Sequence, residues 1–327
     1  MKAILQEKRG KAFSTMQVAE IEAQTPNTNE VKIRVKSSRI NPVDMDLLKG
    51  FPSLNYKKPQ IGGVDGAGEI IELGSSVSQF NVGDQVYFYC MFSDFGTWAE
   101  EITIDASYLA KIPSNVETEQ AGAIALPILT ALESLWSLDP KAGEVILIHG
   151  AGGGVGFQAV QLAKTIGLEV IANASERDRE KLTNTGVSRF IDYQKEDFSK
   201  SLGADKPDYI LDVVGKDTLT KSIKLKPKKV VSTAFPEVNK MHKTGVALPG
   251  MLKFLMRMMG RKFEKLAKKM DVELIGQVTG ANGQNLAKAS HIAEQSNFIV
   301  SPYRTKTLDE ISKSGLTAKD VGTIIVF

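Results

Sequence analysis

The stretch that decides the fold is Val145-Ile-Leu-Ile-His-Gly-Ala-Gly-Gly-Gly-Val-Gly156. Its first four residues are all apolar, which is typical of a strand buried on both faces. The segment Phe157–Gly167 follows with apolar residues at helical spacing. The turn between them fits the pattern (Gly/Ala)-x-Gly-x-x-Gly, in which the backbone approaches a pyrophosphate and the helix N-terminus attracts negative charge.

This order of strand, glycine turn and helix predicts a dinucleotide-binding unit. The alternative is a turn whose glycines serve only close packing. Two later segments, Val170–Ala172 and Asp208–Gly215, continue the alternation, so we expect an α/β fold with a doubly wound parallel sheet. His149, at the strand end, is interpreted as a packed or hydrogen-bonded residue. The candidate cofactor-binding residues here are Gly150, Ala151, Gly152, Gly153, Gly154, Val155, Gly156 and Val214.

Length and composition set limits on the class of protein. At 327 residues the chain exceeds a usual single core, so we expect two domains. No apolar run approaches the roughly 18 to 20 residues that span a bilayer, and the N-terminus becomes charged too early for a secretory signal. A single cysteine, Cys90, excludes an intrachain disulfide. A soluble, cytoplasmic protein is predicted, and the net charge of +3 indicates no nucleic-acid partner.

The first third of the chain favours strands. Val31–Val35 alternates apolar and polar residues, and Gly68–Leu73 and Gly83–Tyr89 are short β-rich runs. Glu117–Leu138 then predicts a helix that is broken at Pro127. The change from strands to alternating strands and helices places a domain boundary near residue 120.

The C-terminal region is expected to return to the first domain. Asn285–Gln295 predicts a helix, and Gly322–Phe327 predicts a closing strand. The predicted domains are therefore a β-rich domain over 1–120, a dinucleotide-binding domain over 121–281, and a second part of the β-rich domain over 282–327.

Seven short segments, taken in order with the glycine turn, form a recognisable set of motifs: Arg39–Asp44, Gly63–Gly68, Val82–Val86, Gly96–Glu100, Leu126–Ala131, Ile191–Tyr193 and Asp208–Gly215. Together they resemble the medium-chain dehydrogenase/reductase superfamily, in its zinc-free quinone oxidoreductase and enone reductase branch. The resemblance implies a GroES-like catalytic domain, a Rossmann domain and a substrate bound in the cleft between them. It also implies a homodimer paired through Rossmann sheet edges.

The zinc enzymes of that superfamily hold a catalytic metal with a cysteine, a histidine and a further ligand. Here Asn41 stands where the first cysteine is expected, Val64-Asp65 replaces the usual His-Glu pair, and Cys90 has no partner thiolates. We therefore expect no bound metal. Without a Lewis acid to stabilise an alkoxide, NADPH-dependent hydride transfer to a quinone or an α,β-unsaturated carbonyl fits better than alcohol oxidation.

Two residues are candidates for catalysis. Asn41 can donate a hydrogen bond to the carbonyl oxygen that gains charge, and the resemblance places it in the nicotinamide pocket. The alternative is that Asn41 only shapes the turn before Pro42. Solvent is expected to protonate the product, with Tyr56 as the alternative proton donor. Asp44 is interpreted as the cap of a helix over 45–49.

The cofactor contacts are predicted in the same way. By resemblance Thr130 contacts the nicotinamide, although a helical threonine can also bond its own backbone. Glu176 lies where NAD enzymes place an acid. However, Ser175 stands at the expected strand end, Arg177 and Arg179 follow, and by resemblance Tyr193 matches a phosphate-contacting tyrosine of NADP enzymes. NADP(H) is therefore favoured, the alternative being a solvated helix start that leaves specificity undecided.

A basic, methionine-rich segment over 251–270 is an amphipathic helix candidate. Its apolar residues at helical spacing are Leu252, Leu255, Met259, Phe263, Leu266 and Met270, and its basic residues are Lys253, Arg257, Arg261, Lys265 and Lys268. Packing of this helix against the Rossmann domain or at the active-site mouth is favoured over contact with a membrane or a partner. Besides the reductase, two functions stay open: a non-catalytic NADPH-binding protein, similar to lens crystallins recruited from the same family, and a membrane-peripheral protein.

Overall fold

The computed structural model describes residues 1–7, 16–50, 60–203, 205–235, 237–301 and 303–327. Within these ranges the strands are β1 (Lys2–Gln6), β2 (Met16–Glu20), β3 (Glu30–Arg39), β4 (Gln60–Ile61), β5 (Asp65–Leu73), β6 (Gln85–Tyr89), β7 (Glu101–Asp105), β8 (Leu109–Lys111), β9 (Val145–His149), β10 (Glu169–Ala174), β11 (Arg189–Asp192), β12 (Tyr209–Asp212), β13 (Lys229–Ser232), β14 (Glu273–Gly276), β15 (Thr305–Thr307) and β16 (Ile324–Val326). The helices are α1 (Pro42–Gly50), α2 (Thr118–Ala121), α3 (Ala125–Leu138), α4 (Gly154–Thr165), α5 (Arg179–Thr183), α6 (Phe198–Ser201), α7 (Lys216–Lys224), α8 (Gly250–Met270), α9 (Gly283–Glu294) and α10 (Leu308–Ser314).

The described chain divides into two compact units. The first comprises Met1–Leu126, Lys243–Ala247 and Gly280–Phe327, and the second comprises Pro127–His242 and Leu248–Thr279. None of the helices in the described part of the chain is long and apolar enough to cross a membrane.

The first unit is built on β-sheets. The larger sheet has the order β15-β16-β3-β5-β6-β8, with β7 also paired to β3, and a smaller sheet has the order β2-β1-β4. Along β3 the residues Val31, Ile33 and Val35 alternate into the apolar core, as their sequence pattern predicted. The closing strand β16 pairs antiparallel with β3, with Ile324 opposite Arg39.

The second unit is built on a six-stranded sheet with the order β11-β10-β9-β12-β13-β14, in which all neighbouring strands run parallel. Counted from β9, this is the doubly wound order 3-2-1-4-5-6, so the α/β prediction is confirmed. The order reverses between β9 and β12, and ligands of such sheets bind at the carboxyl ends of the strands at that point. In β9 all residues from Ile146 to His149 are buried, which explains its continuous apolar run.

The prediction that one helix over 117–138 breaks at Pro127 was wrong. The break lies earlier, between α2 and α3, and Pro127 stands in the first turn of α3. A proline is tolerated in a first turn because the N–H groups there have no partner within the helix.

The apolar stripe predicted for the 251–270 segment is also divided in the structure. Phe263, Leu266 and Met270 of α8 pack against the core of the second unit. Leu255 and Met259, by contrast, are exposed. Only the second half of α8 therefore packs against the core as predicted, and the first half lies in solvent.

Candidate dinucleotide site and active site

The glycine turn follows β9 directly. Gly150 has a positive φ of 66°, and its carbonyl accepts a 3.0 Å hydrogen bond from the N–H of Gly153. Helix α4 begins at Gly154, three residues before the predicted start at Phe157. The last fingerprint glycine, Gly156, therefore lies inside the first helical turn, where backbone N–H groups have no intrahelical acceptor and suit an anion.

Two glycines of the turn have different roles. A Cβ on Gly156 would lie 2.2 Å from the carbonyl oxygen of Gly150, so only glycine allows the helix to approach the turn this closely. Gly153 is exposed, and a Cβ there would meet only that same oxygen, at 3.4 Å. The space beside Gly153 is a cradle that a phosphate could occupy. The N–H of Ala151 bonds the carbonyl of Asn173 at 3.1 Å and ties the turn to β10.

Asp178, which the sequence analysis did not single out, lies against the outside of the turn and pairs with Lys181, which bonds the turn. A Cβ on Gly152 would lie 2.2 Å from the Asp178 carboxylate. Lys181 bonds the carbonyl of Gly152 at 2.7 Å and pairs with Asp178 at 2.9 Å, and Ser175 donates to Asp178 at 2.9 Å. Partial burial alone would raise the pKa of Asp178, but the bonds from Lys181 and Ser175 outweigh it and lower the pKa.

Glu176, the acid that lies where NAD enzymes place theirs, is already paired with basic side chains. Glu176 binds Arg179 at 2.6 Å and Lys195 at 2.9 Å, and these hydrogen bonds lower the pKa of Glu176 to about 2. Arg177 has a side chain that is 85% exposed and contacts Asp178 only at 3.4 Å. The N–H of Tyr193 bonds the carbonyl of Ala174, immediately before Ser175. The backbone therefore brings the predicted Ser175, Arg177 and Tyr193 to one edge of the sheet.

A cavity of about 730 Å³ lies beside this edge, and its lining includes His149, Asn173, Tyr193, Phe198, Val214 and Lys221. Tyr193 and Val214 are both more than half exposed although they are large and apolar. Asp212 positions the second of them by accepting hydrogen bonds of 3.0 Å from the N–H groups of Val214 and Gly215. The cavity therefore offers apolar surfaces that suit the flat base of a nucleotide.

His149 is hydrogen-bonded and buried, as predicted. Its Nδ1 accepts from the amide of Asn173 at 2.9 Å, and its Nε2 lies 3.0 Å from the hydroxyl of Ser222. That hydroxyl donates to the carbonyl of Thr218, so the histidine carries its proton on Nε2. Burial lowers the pKa of His149 to about 3, which keeps the ring neutral. The Asn173 side-chain oxygen is buried without a hydrogen-bond partner among the described residues.

In the first unit, Asn41 lies directly before α1. This helix begins at Pro42, so the predicted start at residue 45 was three residues late. Proline is favoured as the first residue of a helix because it needs no N–H acceptor there. The carboxylate of Asp44 reaches back and accepts the N–H of Asn41 at 2.6 Å. Asp44 thus caps the helix from inside its first turn rather than from the position before it.

The side chain of Asn41 is held by a residue of β5. Its amide nitrogen donates to Asp65 at 2.7 Å, and the other oxygen of Asp65 accepts the N–H of Leu126 at 3.1 Å. All of this lies in the interior of the unit. Burial raises the pKa of Asp65 to about 7, and it also raises the pKa of the nearby Asp44. Sequence analysis named Asp65 only as a replaced metal ligand and missed its bond to Asn41.

The described residues of the first unit do not fit a zinc ion. In the described ranges, no three His, Cys, Asp or Glu side chains are grouped to hold a metal. Both oxygens of Asp65 already accept hydrogen bonds. Cys90 is buried, and burial raises the pKa of its thiol, which opposes the thiolate form that zinc binds.

The structure says less about the two remaining predicted residues, Thr130 and Tyr56. Thr130 lies in α3, is almost fully buried, and has its carbonyl bonded by the hydroxyl of Ser134 at 2.7 Å. Tyr56, the alternative proton donor, lies outside the described residues. Its role stays a prediction.

The fold and the glycine turn define a class of protein in which a β-rich domain accompanies a doubly wound dinucleotide-binding domain. Two family models match the chain: the alcohol dehydrogenase GroES-like domain over residues 27–114 and the zinc-binding dehydrogenase domain over residues 154–247. The chain belongs to the medium-chain dehydrogenase/reductase superfamily, and its relatives include quinone oxidoreductases and an alkenal/one oxidoreductase.

Three comparisons illustrate this relationship. A quinone oxidoreductase of Sus scrofa is 31% identical over 206 residues, which are 61% of this chain and 62% of that protein. A chloroplastic NADPH-dependent alkenal/one oxidoreductase of Arabidopsis thaliana is 33% identical over 196 residues, 57% of this chain and 50% of that protein. The structure of a Coxiella burnetii quinone oxidoreductase superimposes with a TM-score of 0.79 at 25% identity, covering 100% of this chain and 99% of that one. The alignments thus span 62% and 50%, less than two thirds, of these two curated relatives.

Proposed function

We propose that the protein is an NADPH-dependent reductase that transfers hydride to quinones or α,β-unsaturated carbonyl compounds without a metal. The observation that carries the proposal is the buried pair of Asn41 and Asp65, which provides a neutral amide donor. By the resemblance of the sequence, Asn41 corresponds to a metal ligand of the zinc enzymes. The names of the quinone and alkenal/one reductase relatives support the same class of acceptor.

Asn41 can stabilise charge that develops on a carbonyl oxygen. When bound, a reduced nicotinamide would supply a hydride to the acceptor, whose carbonyl oxygen would then gain negative charge. An amide nitrogen carries two hydrogens, and the bond to Asp65 uses one of them and thereby orients the other. A donor that is oriented before the reaction costs no reorganisation when the charge appears.

The second unit supplies residues for the cofactor. The turn over 150–156 suits a pyrophosphate, and Tyr193 and Val214 suit the base. The preference for NADP(H) is supported by Arg177, whose exposed guanidinium can pair with a 2′-phosphate. Asp178 does not oppose this preference strongly, because Lys181 already pairs with it.

A homodimer is part of the proposal. Strand β14 is at the edge of the six-stranded sheet and, within the described chain, pairs only with β13. An edge strand presents unpaired N–H and C=O groups to a second copy. Light scattering coupled to size exclusion gives the mass directly, and a monomer at micromolar concentration would refute this part.

A panel of acceptors tests the activity. NADPH oxidation is followed at 340 nm with 1,2-naphthoquinone, with an alkenal and with a simple alcohol under reverse conditions, and metal content is measured on the same sample. We expect turnover with the quinone or the alkenal, none with the alcohol, and no stoichiometric zinc. NADPH binding without turnover across the panel would instead indicate the non-catalytic binding function.

A further inference from the structure

Helix α8 has two halves with different surroundings. In the second half, Gly260, Phe263 and Ala267 are buried, and Gly260 lets Phe235 come close, since a Cβ there would lie 3.2 Å from its ring. In the first half no residue from 251 to 259 is fully buried. The helix is therefore anchored by one half and presents the other to solvent.

The first half carries a continuous apolar surface, which we call the exposed stripe. Its members are spaced three or four residues apart along one face of the helix and are between 46 and 72% exposed. They are Met251, Phe254, Leu255, Met258 and Met259. These five form one patch, unlike the scattered single apolar residues that are normal on protein surfaces.

Basic side chains continue the same face. At the same helical spacing beyond Met258 stand Lys262, Lys265 and Lys269, all of them exposed. The helix as a whole has seven lysines and arginines and a single acid, Glu264, and thus a formal charge of +6. The whole chain carries only +3, so all other residues together carry −3. The positive charge of this protein is concentrated on α8.

We propose that α8 binds an anionic bilayer surface, with the exposed stripe inserted among the lipid headgroups and the following lysines against their phosphates. An anionic bilayer provides negative charge and an apolar layer within about 10 Å of each other, which matches a helix that is apolar in one half and basic in the next. Methionine side chains suit such a surface because they adapt to irregular surroundings. The inference does not depend on the reductase activity.

Neither a second copy of this chain nor a nucleic acid matches the whole of this face. A second copy packed on this face would bring another +6 helix against the first, so repulsion opposes self-association there. A nucleic acid would satisfy the lysines but would leave Phe254 and Met259 in water. Only an occupant with both negative charge and an apolar layer covers the lysines and the exposed stripe together.

Vesicle co-sedimentation of the full chain tests the proposal. The vesicles contain phosphatidylcholine alone or with about one third phosphatidylglycerol. We expect partitioning to be at least about tenfold stronger with the anionic lipid and to fall as salt rises from about 50 to about 500 mM. Equal binding to both vesicles, or none at low salt, would overturn the proposal.

Two double variants separate the contributions. Phe254→Ser with Met259→Ser should weaken partitioning about tenfold or more by removing apolar area. Lys262→Glu with Lys265→Glu should weaken it more than about 25-fold, since each basic residue near the surface contributes roughly fivefold. All four positions are exposed, so the fold should persist, and circular dichroism checks this.

Matched controls lie in the first unit. Val82→Ser changes an equally exposed apolar residue, and Lys36→Glu changes an exposed lysine. Both should leave partitioning within about twofold. If the controls weaken binding as much as the α8 variants do, the contact is not on α8. If the serine variant dissociates a dimer in sedimentation velocity and wild type ignores vesicles, the face binds a second copy instead.

Discussion

The side-chain amide of Asn41 donates a 2.7 Å hydrogen bond to Asp65, and both residues are buried. One comes from the turn before α1 and the other begins β5, so the pair joins two elements that are far apart in sequence. The bond sets the direction of the Asn41 amide. It also supplies a hydrogen-bond partner for the Asp65 carboxyl, a polar group in an apolar interior.

Replacing Asn41 by alanine should lower turnover and leave cofactor binding intact. Loss of one charge-stabilising donor costs roughly 10²- to 10³-fold in kcat. The Kd for NADPH should stay within about twofold, because the predicted contacts with the pyrophosphate and the 2′-phosphate lie in the other unit. Steady-state kinetics and fluorescence titration measure the two quantities. If NADPH affinity collapses while kcat at saturation is preserved, the role assigned to Asn41 is wrong.

The stability effect of Asp65→Asn should depend on pH. Burial raises the pKa of Asp65 to about 7, so between about pH 4 and 7 the folded protein keeps a proton that the unfolded chain has lost. This contribution to wild-type stability is present at low pH and is lost as pH rises through 7. The variant's deficit in unfolding free energy should therefore shrink by about 2 kcal/mol from pH 5 to pH 7. Urea unfolding measures it, and the exposed Asp46→Asn should show no such trend.

The variant His149→Gln should show the opposite trend. Burial lowers the pKa of His149 to about 3, so below about pH 6.5 the unfolded chain binds a proton that the folded protein does not. Wild type therefore loses stability as pH falls, and the deficit of the variant should shrink by about 2 kcal/mol from pH 7 to pH 5. His242→Gln, at an exposed site, is the control. A constant deficit would mean that the pKa of His149 is the same in the folded protein as in the unfolded chain.

Two alanine variants should distinguish a glycine of the turn that serves packing from one that serves cofactor binding. Gly156→Ala places a Cβ 2.2 Å from a backbone oxygen, so the thermal midpoint and NADPH affinity should both fall, stability by about 2 kcal/mol or more. Gly153→Ala meets nothing closer than 3.4 Å and should keep its stability within about 1 kcal/mol while NADPH affinity falls. Calorimetry with and without cofactor compares them. Full affinity in Gly153→Ala would mean that no phosphate lies beside it.

Replacing Arg177, but not Arg179, should change the preference for NADPH over NADH. Arg177→Ala should reduce the ratio of NADPH to NADH affinity about tenfold or more, since a hydrogen bond between charged groups contributes roughly 1.5 to 3 kcal/mol. Arg179 is engaged with Glu176 and lies 4.2 Å over the ring of Phe190, so Arg179→Ala should leave the ratio within about twofold. An unchanged ratio in the first variant would shift the assignment to other groups.

Local patterns in the sequence were sufficient for the architecture. The apolar run of β9, the glycines after it and the helical spacing beyond predicted the doubly wound sheet, because strand burial and glycine turns act between residues close in the chain. The boundaries of α1 and α4 were each misplaced by three residues. First-turn proline and glycine are as compatible with a helix start as with a turn, so composition alone does not separate the two.

By itself, then, the sequence determined the family, the α/β class and the turn that suits a dinucleotide. Only the tertiary structure showed that Asp65 bonds Asn41, that Lys181 bonds Gly152 beside Asp178, and that α8 is buried along half its length. The physical reason is distance along the chain. Periodicity reports which face of an element is apolar, whereas the partner of a buried carboxylate, or the length of helix that a core can cover, depends on how distant segments pack.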